Sequence, residues 1–196
     1  MAEHNALTDT VGGLHEPKGA STATSGQSYI ADGAGSGAWK EHIQGWGYYK
    51  DNASAQTITT TAAILSIDGA GATTELTYLP EGVTNFWDTT GDHIIASALG
   101  DSYVMRLDLP ITNITGSASI LEMELDISGA SSPTTVIVTR QISIAAGANK
   151  TVSVSFGMFS LTTFVTNGAQ IFLSTDANTC DVTAPAILVQ RVSGTL

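Results

Sequence analysis

Any catalysis or metal binding in this chain must come from a thin set of side chains. There is one cysteine, Cys180, and there are four histidines, His4, His15, His42 and His93. None falls in the CxxC or HExxH spacing that gathers zinc ligands. A Cys180–His93 dyad is the one thiol arrangement on offer, and an inert, partly buried thiol is the simpler reading. There is no GxSxG elbow, the usual signal of a serine hydrolase. Gly33-Ala34-Gly35-Ser36-Gly37 looks like a phosphate loop only superficially. It lacks the GxGxxG spacing, a following helix and the Lys-Ser or Lys-Thr pair that such loops use. It reads as a tightly turning linker ahead of Trp39.

The carboxylates offer more. Asp88, Asp92 and Asp101 share a loop-rich stretch with Trp87, and a Trp beside paired acids can mark a sugar cleft. Asp88-Thr89-Thr90-Gly91-Asp92 is also a candidate Ca²⁺ loop, although it departs from the EF-hand pattern. Glu122, Glu124 and Asp126 recur two residues apart, so on a strand they project from one face as a charged stripe rather than converging on a cleft. The expectation is of no catalytic residues, no cofactor and no resident metal, with a cation in the Asp88–Asp92 loop as the alternative.

The charge balance narrows the partners. Eighteen acidic residues against seven basic ones give a net charge of −11. Nucleic acid needs clustered Lys and Arg to neutralise phosphates, and an anionic membrane surface needs the same, so neither is an expected partner. No apolar run approaches the length of a membrane span. The opening Met1-Ala2-Glu3-His4-Asn5 lacks the basic and apolar regions of a signal peptide. The expectation is a soluble, acidic protein made inside the cell.

Two regions of different composition must position these residues. Residues 1–52 are rich in Gly, Ala, Ser and Thr and poor in aliphatics, yet they carry Tyr29, Trp39, Trp46, Tyr48 and Tyr49. Such a segment cannot bury a core of its own and orders on apolar surface supplied from elsewhere. It is read as an extended attachment arm with those five aromatics as its anchors. The alternatives are a disordered tail, or a first strand of the body formed by residues 46–49. Residues 53–196 switch to a period of two. Tyr103, Met105, Leu107 and Leu109 share one face, and Leu121, Met123, Leu125 and Ile127 alternate with Glu122, Glu124 and Asp126. This is the signature of half-buried strands. Further strands are expected at 57–67, 74–79, 93–98, 136–144, 151–156, 170–174 and 184–192, separated by turn signals such as Asp68-Gly69, Ser128-Gly129 and Asn167-Gly168.

No stretch keeps helical spacing over three turns. Eight or nine short strands without helical crossovers define an all-β fold, a jelly-roll-like β-sandwich preceded by the extended arm. Two strands are apolar on both faces, Ile171-Phe172-Leu173 and Ala186-Ile187-Leu188-Val189. A sandwich strand ordinarily wets one face. Ile171, Phe172, Leu173, Ile187 and Val189 are therefore expected at a trimer interface, the alternative being a central strand under a covering loop.

The arm carries a resemblance. Asn5-Ala6-Leu7-Thr8, Leu14-His15-Glu16-Pro17-Lys18-Gly19-Ala20 and Gln27-Ser28-Tyr29-Ile30-Ala31-Asp32-Gly33-Ala34-Gly35-Ser36-Gly37-Ala38-Trp39 follow one another closely. Together they resemble the N-terminal segment of tailed-bacteriophage virion proteins, in which such a segment precedes a β-rich domain. By pattern alone, the body is similar to trimeric jelly rolls of the tumour-necrosis-factor-like kind. The resemblance implies a homotrimer on the capsid surface of a virion, a capsid decoration (cement) or head-fibre protein. It would dock through its arm on the major capsid protein or another virion protein. It implies no catalytic residues. The competing expectation is a tail-associated receptor- or carbohydrate-binding module that recognises a host-surface glycan. Jelly rolls serve both ends.

Overall fold

The computed structural model describes residues 23, 27–31, 37–40, 44–52, 54–80, 82–114 and 116–194. They fall into two compact units divided after position 42.

In the first unit, β1 (Ser28–Ala31) and β2 (Gly37–Lys40) form an antiparallel hairpin with Tyr29 opposite Trp39. The two rings meet edge to face, centroids 5.5 Å apart. The composition predicts an extended arm here, and the hairpin pairs that arm with itself. Aromatic and β-branched residues favour cross-strand pairing, and Gly37 lets the strands close. A Cβ there would meet the Ile30 carbonyl oxygen and lie 2.9 Å from the Tyr29 ring.

The second unit is the body, a jelly-roll-like β-sandwich of the expected all-β class. Its elements are β3 (Gly45–Lys50), β4 (Ala55–Ile58), β5 (Ala63–Ile64), β6 (Trp87–Asp88), β7 (His93–Ile94), β8 (Ser102–Asn113), β9 (Ser119–Asp126), β10 (Val136–Ile144), β11 (Asn149–Phe159), α1 (Thr162–Asn167), β12 (Ala169–Thr175), β13 (Cys180–Thr183) and β14 (Ala186–Ser193). One sheet is organised on β8, which pairs with β11 along one edge. Its other edge takes β14 and then β13 end to end. The chain kinks between those two at Ala184, where φ is +50°. β3 continues the sheet beyond β14, and β4 continues it beyond β13. The second sheet runs β10-β9-β12, with β5 and β7 sharing the far edge of β12 and β6 pairing β7.

The alternation read from the sequence decides the inner faces. Tyr103, Met105, Leu107, Leu109 and Ile111 of β8 and Leu121, Met123 and Leu125 of β9 are all buried and face one core. Burying each such side chain stabilises the fold by roughly 1.5–3 kcal/mol. Trp87 lies in that core and donates its indole N–H to the Ile67 carbonyl, 2.9 Å away.

Several expected elements differ. Residues 45–50, assigned to the arm, are a strand of the body. They place Tyr49 opposite Ile187 and Gly47 opposite Val189, so the sheet begins before position 53. The run 57–67 breaks into β4 and β5, and 93–98 shortens to His93–Ile94. Residues 74–79 form turns with a single bridge, Glu75 to Tyr48, against the open edge of β3. A short helix, α1, closes on Gly168 at φ +75°. Its six residues are too few for a helical period to show in the sequence.

Candidate functional site

The carboxylates expected to do chemistry are mostly occupied by backbone donors. Asp88 Oδ1 accepts the Thr90 N–H at 2.8 Å, and its Oδ2 lies 3.8 Å from His93 Nε2. The N–H donated by Thr90 holds the Asp88 carboxyl below its usual range. Asp92 turns away and accepts the Ile67 N–H at 3.1 Å. Asp88 and Asp92 thus brace separate turns, and among the described residues no three His, Cys, Asp or Glu side chains gather as metal ligands. Asp51 and Asp68 do meet. The Asp68 N–H donates to Asp51 Oδ1 at 3.1 Å, while Asp68 accepts from Asn52 and Ala70. Burial, with the Asp68 charge beside it, pushes the Asp51 carboxyl up.

On β9 the acidic stripe stands on the outer face, in register with Thr139 and Gln141 of β10. Partial burial and the neighbouring Glu122 and Asp126 raise the Glu124 carboxyl. Asp126 differs. Burial acts to raise it, but hydrogen bonds from Ser128 and from the N–H groups of Thr134 and Thr135 outweigh that and hold it low. The stripe therefore ends in a carboxylate that organises the β9–β10 connection. Cys180 is fully buried, and burial beside Asp181 pushes its thiol up to about 11. It carries no thiolate at neutral pH and lies in the opposite sheet from His93. His4, His15, His42 and most of the glycine-rich linker, positions 33–36, lie outside the described residues.

The five expected anchors separate into three environments. Tyr29 and Trp39 face each other on the hairpin of the first unit, with Tyr29 exposed. Tyr49 is a core residue of the body. It is 1% exposed, and its hydroxyl accepts the Phe86 N–H at 2.6 Å. It is therefore unavailable to a partner, which corrects its expected role. Trp46 and Tyr48 are half-buried on the outer face of β3. Trp46 stacks on Tyr78, ring centroids 4.8 Å apart and planes 19° from parallel, and Tyr78 is 57% exposed.

The five expected interface residues also need correction. Ile171, Phe172, Leu173, Ile187 and Val189 are all buried by the single chain, at 0–1% exposure. Ile171, Leu173, Ile187 and Val189 belong to the core between the sheets. Phe172 points to the opposite side of β12, in register with Ile64 and Glu124. A strand central to its sheet accumulates apolar residues because neighbours cover it on both edges and both faces.

Sequence reasoning missed two features. One is a buried polar knot in which Arg191, Asp101 and Tyr103 meet at the end of the sandwich. The other is an apolar groove between β10 and β11, lined by Ile137, Val138, Met158, Phe159 and Leu161 among others. The only signal for the groove was that Phe159 and Leu161 continue an apolar run past the end of a strand.

No family model matches this chain, and no curated protein matches its sequence. Among solved structures, it is similar to vertex protein P5 of PRD1, with a TM-score of 0.45 and 12% identity over 78% of this chain and 99% of that one. It is also similar to the Eiger TNF of S. frugiperda, with a TM-score of 0.46 and 9% identity over 79% and 94%. A chain of infectious bursal disease virus, Gx strain, matches with a TM-score of 0.25 and 12% identity over 84% and 36%.

Proposed function

We propose that this chain is a structural virion protein, a capsid decoration or head-fibre protein whose N-terminal unit attaches it to the capsid surface. The partner there is the major capsid protein or another virion protein. The body is a homotrimer that carries no catalysis, binds no cofactor and contacts neither nucleic acid nor membrane. The observation that carries this reading is the order of the N-terminal pieces, His15-Glu16-Pro17-Lys18-Gly19 and then Tyr29 through Trp39. The second piece supplies a hairpin with a paired Tyr29 and Trp39, in a unit separate from the body. Large aromatics are the side chains that most often anchor interfaces. The test is imaging of particles assembled with the full chain and with a chain lacking residues 1–42. Density on the capsid that disappears with the truncation supports the reading. Density at the tail tip, or retained after truncation, overturns it.

A second reading has its own support. The Trp46–Tyr78 stack leaves one aromatic face in solvent on the body rather than on the attachment unit. A tail-associated module that recognises a host glycan would use such a face. Binding of the full chain to a glycan array, lost in Tyr78→Ala, is the result that would favour it.

A further inference from the structure

The groove lies where the sandwich is open. Among the described strands, β10 pairs only with β9 and β11 pairs only with β8. Each therefore leaves one edge that no strand covers; on β10 the Ser143 carbonyl accepts from Lys150 Nζ and the Thr139 carbonyl from Arg140 Nη1. The groove takes Ile137 and Val138 from β10 and Met158 and Phe159 from β11, so both open edges lie along the same flank. Long unpaired edges are a liability that proteins blunt with charge, proline or a cover. Here β10 has one charged residue, Arg140, β11 has one, Lys150, and neither has a proline.

That flank is apolar at its surface as well. Phe159 is 63% exposed, Leu161 52% and Ile137 43%, with Val136 and Val165 also exposed nearby. Contiguous exposed side chains of this size mark an interaction surface rather than scattered surface apolarity. The groove and the Phe159–Leu161 ridge sit side by side, so a single face presents both a hollow and a projection.

The charge pattern selects the occupant. From Ile127 to Thr175 the chain contains no Asp or Glu, and its only charges are Arg140 and Lys150. The remaining sequence holds all eighteen carboxylates of a chain whose net charge is −11. Two copies approaching through most other faces bring like charges together, which opposes association. Approach through the segments that bound the groove brings apolar surface and two cations instead. Depletion of charge at the centre of a contact is also the compositional mark of protein interfaces.

We infer that the β10–β11 flank is the surface through which one copy of this chain packs on another, with Phe159 and Leu161 at its centre. This rests on the homotrimeric reading above. It moves the contact from β12 and β14, whose apolar residues the single chain already buries, to the open side of the sandwich.

Sedimentation of the full chain at micromolar concentration tests it, with Phe159→Glu and the Ile137→Glu/Phe159→Glu pair as variants. Both positions are exposed, so circular dichroism should show the variants folded. The expected result is an assembled unsubstituted chain, variants that sediment as monomers with association weakened roughly a hundredfold or more, and a Tyr78→Glu control that stays assembled. A folded Phe159→Glu chain that sediments like the unsubstituted oligomer overturns the interface and leaves the oligomer standing. A monomeric unsubstituted chain overturns both. Hydrogen exchange on the unsubstituted chain reads the same flank without substitution. Residues 136–144 and 155–161 should gain protection as concentration drives assembly. Gain elsewhere with none in these segments overturns the inference.

Discussion

Arg191 donates from Nη2 to Asp101 Oδ1 across 3.0 Å, and both side chains are withdrawn from solvent. Asp101 Oδ2 accepts from the Ala98 N–H at 3.0 Å and from the Tyr103 hydroxyl at 3.1 Å, and that hydroxyl accepts the Ser97 N–H at 2.8 Å. The knot joins the end of β14, the start of β8 and the loop before it. A Cβ on Gly194 would collide with both charged groups. Removing one partner leaves the other charge buried, so Arg191→Met should cost about 3–5 kcal/mol. Chemical denaturation measures this. A loss below about 1 kcal/mol would show that water reaches the knot.

Two acids on β9 should respond to pH in opposite senses. Asp126 is held low in the folded state. Its contribution is therefore present above the unfolded carboxylate value of about 3.9 and is lost as pH falls through the folded value. Glu124 is held high, so the stability it contributes at low pH is lost as pH rises through its folded value. At pH 7, Asp126→Asn should lower the melting temperature and Glu124→Gln should raise it slightly. Equal and like shifts in the two variants would contradict these assignments.

Cys180 should be chemically silent in the folded body. With the thiol pushed up to about 11 and fully buried, an alkylating reagent at pH 8 should modify it only as fast as the body opens. Adding denaturant should release the reaction. Rapid labelling of the native chain would mean that β13 detaches easily.

Tyr49 and Trp39 should behave differently when substituted. Tyr49→Phe strands the Phe86 N–H in the core, at a cost of about 1–3 kcal/mol. Trp39→Ala should leave the thermal transition of the body unchanged, because Trp39 pairs within the other unit. On the proposed function it should still abolish attachment to particles. A Trp39→Ala chain that binds particles fully would place the anchor elsewhere.

The strands of the sandwich were legible wherever one face is wet. β8 and β9 alternate because their outer residues, Arg106 and Glu122 among them, meet solvent or half-solvent. Residues 45–50 were misassigned because Gly45 and Gly47 dilute the alternation and the remaining aromatics look like adhesive side chains. A Cβ on Gly47 would come within 3.0 Å of the neighbouring Tyr49 ring and 3.1 Å of Leu79, and the second of these is a demand of tertiary packing. β12 and β14 were misread as interface for a related reason. Two-sided apolarity is the same whether a sheet neighbour or a second subunit covers the strand. The Arg191–Asp101 pair spans ninety residues of sequence, and no local pattern announces it.

The pairing of β3 with β14 sets a timetable for biosynthesis. Gly47 lies opposite Val189, so the sheet cannot close until nearly all of the body has left the ribosome. The hairpin from Ser28 to Lys40 needs only its own neighbours. Contacts this distant make folding slow, commonly milliseconds to seconds. Each new chain therefore spends a period with its N-terminal unit available and its β10 and β11 edges not yet anchored in a finished sandwich. A body cut short before Ala186 would lack the strand that joins β3 to β8.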